Sequence, residues 1–135
     1  MIINELNEDI LDTFDKRHVA FAINTEGIND MGFSGYISYL YWPELTSMNT
    51  SELGTVFTKE YNNFIFHALV CHSLMNGWTD TEKVIEKCFN AISTDDPICS
   101  LAIGTGLIGF LSGVKWHRVK KGMENSKKEI IIYKK

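Results

Sequence analysis

This 135-residue chain has little of what marks several protein classes: three cysteines, two prolines, and no excess of positive charge. Cys71, Cys88 and Cys99 are odd in number, form no CxxC pair, and follow no basic-then-apolar leader. A reduced, cytoplasmic protein is therefore expected rather than a disulfide-stapled secreted one. Cys71-His72 is the only Cys/His neighbour pair, so no zinc ligand set is complete, and neither a metal nor a cofactor is expected. No apolar run reaches the roughly 20 residues of a spanning helix, which argues against a membrane partner. Thirteen Lys and Arg against seventeen Asp and Glu leave a net charge of -4, so nucleic acid is not the expected partner. The lysines within 115–121 and 127–135 read as a solvated helix face and a charged final strand. Internal repeats and low-complexity segments are also lacking. What remains is ordinary globular composition, 44% hydrophobic and 22% charged, enough for one domain over 1–135.

Strand and helix signals alternate along the chain. Met1 to Leu6 reads as a first strand, and Ile10, Leu11 and Phe14 fall at helical spacing within Asp9 to Lys16. His18 to Ile23 is a compact apolar strand. The spacing predicts a helix over Tyr36 to Trp42, stopped by Pro43, then a connecting segment to Leu53. Strands follow at Gly54 to Thr58 and Phe64 to Cys71, with Asn62-Asn63 suited to a tight turn between them. Asn76-Gly77 marks another turn. Thr79 to Ile92 carries the clearest helical stripe, Val84, Ile85, Cys88, Phe89 and Ile92, with Thr79 or Asp80 as N-cap. Ile98 to Ile103 is a strand, Ser112 to Glu124 a helix, and Glu129 to Tyr133 a last strand. About six strands and four helices, largely alternating, indicate an α/β fold: a three-layer α/β/α sandwich around a mixed sheet.

Two loops carry the chemistry. After the strand ending at Ile103 come Gly104, Thr105, Gly106, Leu107, Ile108, Gly109 and Phe110, with three glycines in six residues. Strand, Gly-rich loop, helix is how an α/β protein holds a phosphate: glycine lets a ligand approach the backbone, and the helix N-terminus favours an anion. A tight turn without a ligand fits the same residues. A second Gly-bearing loop, 24–35, also joins a strand to a helix. Ligands of open α/β sheets bind at the carboxyl ends of strands, so the two loops suit the walls of one cleft.

These segments resemble the macro domain, the module that binds ADP-ribose. Ile103 to Phe110 fits that family's second phosphate loop position by position. Ala20-Phe21-Ala22-Ile23-Asn24 resembles its apolar strand ending in Asn, and Met31-Gly32-Phe33-Ser34-Gly35-Tyr36-Ile37 its Gly-rich first loop running into a helix. Glu8-Asp9-Ile10-Leu11 resembles Gly-Asp-Ile-Thr, and Phe64 to Val70 the central strand carrying His-Ala-Val. All five occur in the family's order. The resemblance implies that Asp9 accepts a hydrogen bond from the adenine amino group, assisted by the Ile10 backbone. It implies that amides of Gly104, Thr105, Gly106, Leu107, Ile108 and Gly109 cradle the pyrophosphate, that Phe110 packs on the distal ribose or the base, and that Asn24 with Gly32, Ser34 and Gly35 encloses the distal ribose. Simpler roles exist for several: Asp9 as a helix N-cap, Phe110 as a core aromatic, Asn24 as a strand-end turn residue.

The chain departs from the family where hydrolysis is concerned. Gly27 stands where the commonest hydrolases carry a second Asn, and Phe33 and Ser34 replace usual glycines. No Lys lies in the first loop and no carboxylate in the second, so the other catalytic pattern is missing too. Asp30 is the remaining catalytic candidate, as a group that orients or deprotonates a water, with Glu26 second; a loop residue making a local turn fits Asp30 equally. His67 reads as a satisfied core histidine and His72 as an exposed strand-end one. Three readings follow: a binder of ADP-ribose or an ADP-ribosylated macromolecule, a hydrolase removing ADP-ribose or the phosphate of ADP-ribose-1''-phosphate, and an interaction scaffold whose cleft is closed by Phe33 and Ile108.

Overall fold

A computed structural model describes residues 3–6, 9–11, 17–29, 32–101 and 116–133. The strands are β1 (Ile3–Leu6), β2 (Arg17–Asn24), β3 (Val56–Tyr61), β4 (Phe64–His72), β5 (Ile98–Leu101) and β6 (Ile130–Tyr133). The helices are α1 (Gly32–Leu40), α2 (Thr81–Ala91) and α3 (Trp116–Asn125), with a 3-10 turn at Pro43–Ser47. Three of the four expected helices lie among the described residues; of the fourth, expected over Asp9 to Lys16, residues 12–16 lie outside them. The strands form one six-stranded sheet in the order β1-β6-β5-β2-β4-β3. Every pairing is parallel except β3 with β4, so the sheet is mixed.

Burial explains this order. In β4 every residue but Ile65 is buried, and in β2 every residue from Val19 on is buried except the half-buried Ala22, as suits strands covered on both sides. β3 is mostly half-exposed or exposed, which suits an edge. Side chains alternate across the sheet. Val19, Phe21 and Ile23 of β2 join Phe66 and Val70 of β4 beneath Phe33 and Ile37 of α1. Ala20, Leu69, Cys71, Ile98 and Ile132 face the other way, against Val84, Ile85, Cys88 and Phe89 of α2 and Val119 and Met123 of α3. Helices thus cover both faces, and the fold is the expected α/β/α sandwich. Gly122 lets α3 approach α2 at backbone range: a Cβ there would lie 2.6 Å from the Glu82 carbonyl oxygen.

Several boundaries differ from the expected ones. The helix placed at Tyr36 to Trp42 begins instead at Gly32 and ends at Leu40. Glycine propensity argues against that start, but Phe33 and Ile37, four apart, anchor the inner face. The strand expected at Gly54 to Thr58 is displaced to Val56–Tyr61 by pairing with β4. Asp80 takes the N-cap position of α2 in the left-handed region, φ 46°, without a side-chain cap bond. Ser112 and the expected helical turn over residues 12–16 lie outside the described residues.

Candidate functional site

The five parallel strands point one way, so their carboxyl ends share one edge of the sheet. β2 and β5 are neighbours there. The chain leaving β2 reaches α1 on one face, whereas the chain leaving β5 reaches α3 on the other. Divergence of that kind marks a topological switch point, where open α/β sheets hold their ligands. Gly104, Thr105, Gly106, Leu107, Ile108, Gly109 and Phe110, expected on the β5 side of it, lie outside the described residues, as does Asp30.

Beyond β1, Asp9 is exposed and its Oδ1 accepts the Leu11 amide at 2.9 Å. A bond to the amide two residues on is of the kind a helix N-cap makes, the simpler role given for Asp9, and it occupies one oxygen only. Oδ2 has no hydrogen-bond partner among the described residues. Ile10 is buried in the core under α1, and its carbonyl accepts Arg17 Nη1 at 2.6 Å.

The loop after β2 is a closed hydrogen-bonded unit. The Asn24 carboxamide donates to the Ile28 carbonyl at 2.7 Å and accepts the Ile28 amide at 3.1 Å. Asn29, 2% exposed, accepts the Asn24 amide through Oδ1 and donates to the Leu45 carbonyl. Asn24 therefore braces the loop with the groups that would otherwise meet a sugar. Asn29 was not singled out by sequence, and a buried Asn in a polar loop leaves no signal there. Gly27 has φ +76°, and a Cβ on it would sit 2.9 Å from the Met48 carbonyl oxygen. Gly32, Ser34 and Gly35 fall in the first turn of α1, where amides lack intrahelical partners. Phe33 is 3% exposed and meets Phe21 edge-on, 5.7 Å between centroids, so it belongs to the core.

Glu26 fastens this loop to the turn after β4. Its carboxylate accepts the Ser73 hydroxyl at 2.6 Å, the Leu74 amide at 2.9 Å, the Thr25 hydroxyl at 2.9 Å and the Met75 amide at 3.4 Å. The Ser73 bond and then the Leu74 bond hold its pKa down to about 2. A carboxylate so occupied is a structural clamp and a poor base at neutral pH.

His72 corrects an expectation. It ends β4 but is buried, 3% exposed, because a register shift pairs it with Asn24 and Trp78 stacks on it, 4.8 Å between centroids and 10° between planes. Burial lowers its pKa to about 4, against an upward push from Glu26. His67 is the satisfied core histidine expected. Its Nε2 bonds His18 Nδ1 at 2.9 Å and its Nδ1 bonds the Thr58 hydroxyl at 2.9 Å. Burial, then the neighbouring His18, lowers its pKa to about 4. At the opposite edge of the sheet a cavity of about 640 Å³ is lined by Thr94, Asp95, Asp96, Lys127, Lys128 and other residues of both charge signs. No helix among the described residues is long and apolar enough to cross a membrane.

No family model matches the chain, and no curated protein matches it. Solved structures do. The macrodomain of Mycobacterium tuberculosis DarG superposes with a TM-score of 0.71 at 12% identity, over 99% of this chain and 98% of that one. A macrodomain protein from Streptomyces coelicolor gives 0.68 at 15% identity, over 99% of each chain. Thermosipho africanus DarTG, solved in complex with ADP-ribose, gives 0.58 at 13% identity, over 89% of this chain and 38% of that longer one. At such identities the likeness is one of fold, and the fold is that of a macro domain.

Proposed function

We propose that this chain binds ADP-ribose, or an ADP-ribosyl group on a macromolecule, across the carboxyl ends of β1, β5 and β2. The observation that carries the reading is the switch point between the neighbouring strands β2 and β5, after which the chain passes to helices on opposite faces of a macro-domain sheet, the place where α/β sheets hold ligands. The loops flanking that point are those that resemble the family's phosphate and ribose loops.

Each part of the ligand has a group suited to it. Asp9 Oδ2 accepts the adenine amino hydrogen while Oδ1 keeps the turn, and the Ile10 amide assists. Amides of Gly104, Thr105, Gly106, Leu107, Ile108 and Gly109 take the pyrophosphate oxygens, and Phe110 covers the ribose or base. The first turn of α1, with Gly32, Ser34 and Gly35, gives the distal side a positive helix end. Asn24 acts by holding the loop in shape.

Binding without turnover is favoured over hydrolysis by two features. A Cβ at Gly27 meets the Met48 carbonyl, so the loop is built around the lack of a side chain there. Glu26 is spent on the turn after β4. A closed scaffold is disfavoured because Phe33 points into the core.

Asp9→Asn tests the adenine contact. The amide keeps an acceptor for Leu11 but turns a donor toward the adenine amino group. ADP-ribose affinity measured by calorimetry is expected to fall by roughly 1.5–3 kcal/mol, the worth of a hydrogen bond to a charged group. Unchanged affinity would remove Asp9 from the site.

A further inference from the structure

Surface helices of a folded domain turn charged and polar residues to water. α2 does so with Lys83 and Lys87, and α3 with Arg118, Lys121 and Glu124. α1, Gly-Phe-Ser-Gly-Tyr-Ile-Ser-Tyr-Leu, contains no charged residue. Phe33, Ile37 and Ser38 form its buried side. Tyr36, Tyr39 and Leu40, at i, i+3 and i+4, share the outer side and are 49%, 85% and 42% exposed.

The outer face continues past the helix. Tyr41 meets Tyr61 of the edge strand β3, 5.2 Å between ring centroids, and Tyr61 is 36% exposed. Burial first, then the nearness of Tyr36, Tyr61 and Asp9, raises the Tyr41 pKa, so these groups gather around one ring. Lys59, two residues before Tyr61 in β3, is already paired with Glu44 at 3.3 Å. At about 200 Å² for a large side chain, the exposed fractions of Tyr36, Tyr39, Leu40 and Tyr61 leave roughly 400 Å² of uncharged surface. A patch of that size marks an interaction site, and is about half of what each partner gives to a standard interface.

We propose that the outer face of α1 is a two-fold interface through which a second copy of this chain docks. Charge selects the occupant. Each copy carries a net charge of -4, so two copies repel one another least where the contact is itself uncharged. The Tyr and Leu face gives a charged foreign partner nothing to pair with, whereas it matches itself. In a two-fold contact residue i meets j and j meets i. Antiparallel α1 helices set Tyr36 of one copy against Leu40 of the other, leave Tyr39 beside the axis, and oppose the two helix dipoles. Tyrosine suits such a contact because it buries a large area at small cost in side-chain freedom. The pairing does not depend on whether the strand ends bind a nucleotide.

Sedimentation equilibrium of the full chain, from about 5 µM to about 500 µM, is the test. A patch of this size predicts a dimer with a Kd of roughly 10–100 µM. Tyr39→Glu and Tyr39→Lys each put like charges beside the axis and are expected to weaken pairing by about tenfold or more. Tyr39 is exposed, so both variants are expected to melt with the parent at the lowest concentration. Mixing the two variants is expected to restore a dimer, because the axis then brings Glu against Lys. Met75→Glu changes an equally exposed apolar residue in the turn after β4 and is expected to leave pairing unchanged. Parent protein that stays monomeric to the highest concentration overturns the proposal and leaves the face to a partner of another kind. A dimer that survives both Tyr39 variants, or that Met75→Glu dissolves equally, also overturns it, because another surface then holds the copies.

Discussion

Restoring the asparagine at Gly27 puts a number on the closure of that position. Gly27 is buried at φ +76°, with a built Cβ 2.9 Å from the Met48 oxygen, 3.1 Å from its carbonyl carbon and 3.3 Å from Asn49 Cβ. Asn tolerates the left-handed region better than most residues, so the backbone term is about 1 kcal/mol. The contact term is larger because the first obstacle is a backbone carbonyl, not the end of a flexible side chain. Overpacking of this kind costs about 1–3 kcal/mol. The sum is ~2–4 kcal/mol for Gly27→Asn. A domain of this length loses ~3–5 °C per kcal/mol, so melting is expected to fall by roughly 6–20 °C. Gly27→Ala is the control: it has the same Cβ and a stronger aversion to positive φ, and is expected to fall at least as far. Thermal denaturation followed by far-UV circular dichroism reads both. A Gly27→Asn melt within about 2 °C of the parent would refute the reasoning, since neither strain nor contact could then be real at the stated size.

Other expectations follow from the same coordinates. Gly122→Ala gains up to about 1 kcal/mol of helix propensity but drives a Cβ to 2.6 Å from the Glu82 oxygen and 2.7 Å from Ile85 Cβ, so urea denaturation should show a net loss of ~1–2 kcal/mol; equal or greater stability would mean that α2 and α3 part freely. His67 and His72 are held down to about 4, well below their unfolded value of 6.5. The unfolded chain therefore binds more protons between those limits. Stability should be full above pH 6.5 and fall as pH drops toward 4, by about 1.4 kcal/mol per pH unit for each histidine at most. Urea midpoints at pH 7, 5.5 and 4.5 check this, and a flat profile contradicts it. Glu26→Gln keeps the shape of the clamp and removes its charge. The pKa of Glu26 is depressed, so its contribution is present above pH 4.5 and lost as pH falls toward 2. With solvent screening allowed for, the variant should lose about 1 kcal/mol at pH 7, and an unchanged melt would show the clamp to be dispensable.

Much of the fold was legible because burial leaves periodic marks. The stripe from Val84 to Ile92 is buried as its spacing requires. The apolar strands became β2 and β4 because parallel strands covered on both faces need unbroken apolar runs. What was not legible depends on long-range pairing. Nothing local shows that Glu26 will meet residues 47 to 49 positions away. His72 looked exposed because strand ends usually are; the register shift and the fold-back of Trp78 bury it. The start of α1 was missed because two glycines outweigh Phe33 in propensity, whereas packing against Phe21 decides the matter. Of the candidate site residues, Asn24 ends β2 as its apolar run suggests, and Asp9 follows β1. Asn24 proved to brace its own loop, a role that spacing alone cannot separate from contact with a sugar.

The most direct test of the central claim is calorimetric titration of the full chain with ADP-ribose, with ADP and AMP as controls. Micromolar binding of ADP-ribose that weakens with ADP and fades with AMP is the expected result, because AMP lacks the diphosphate and both controls lack the distal ribose. No heat and no thermal shift with any of the three would contradict the claim, and would leave a macro-domain fold whose β2–β5 switch point holds no nucleotide.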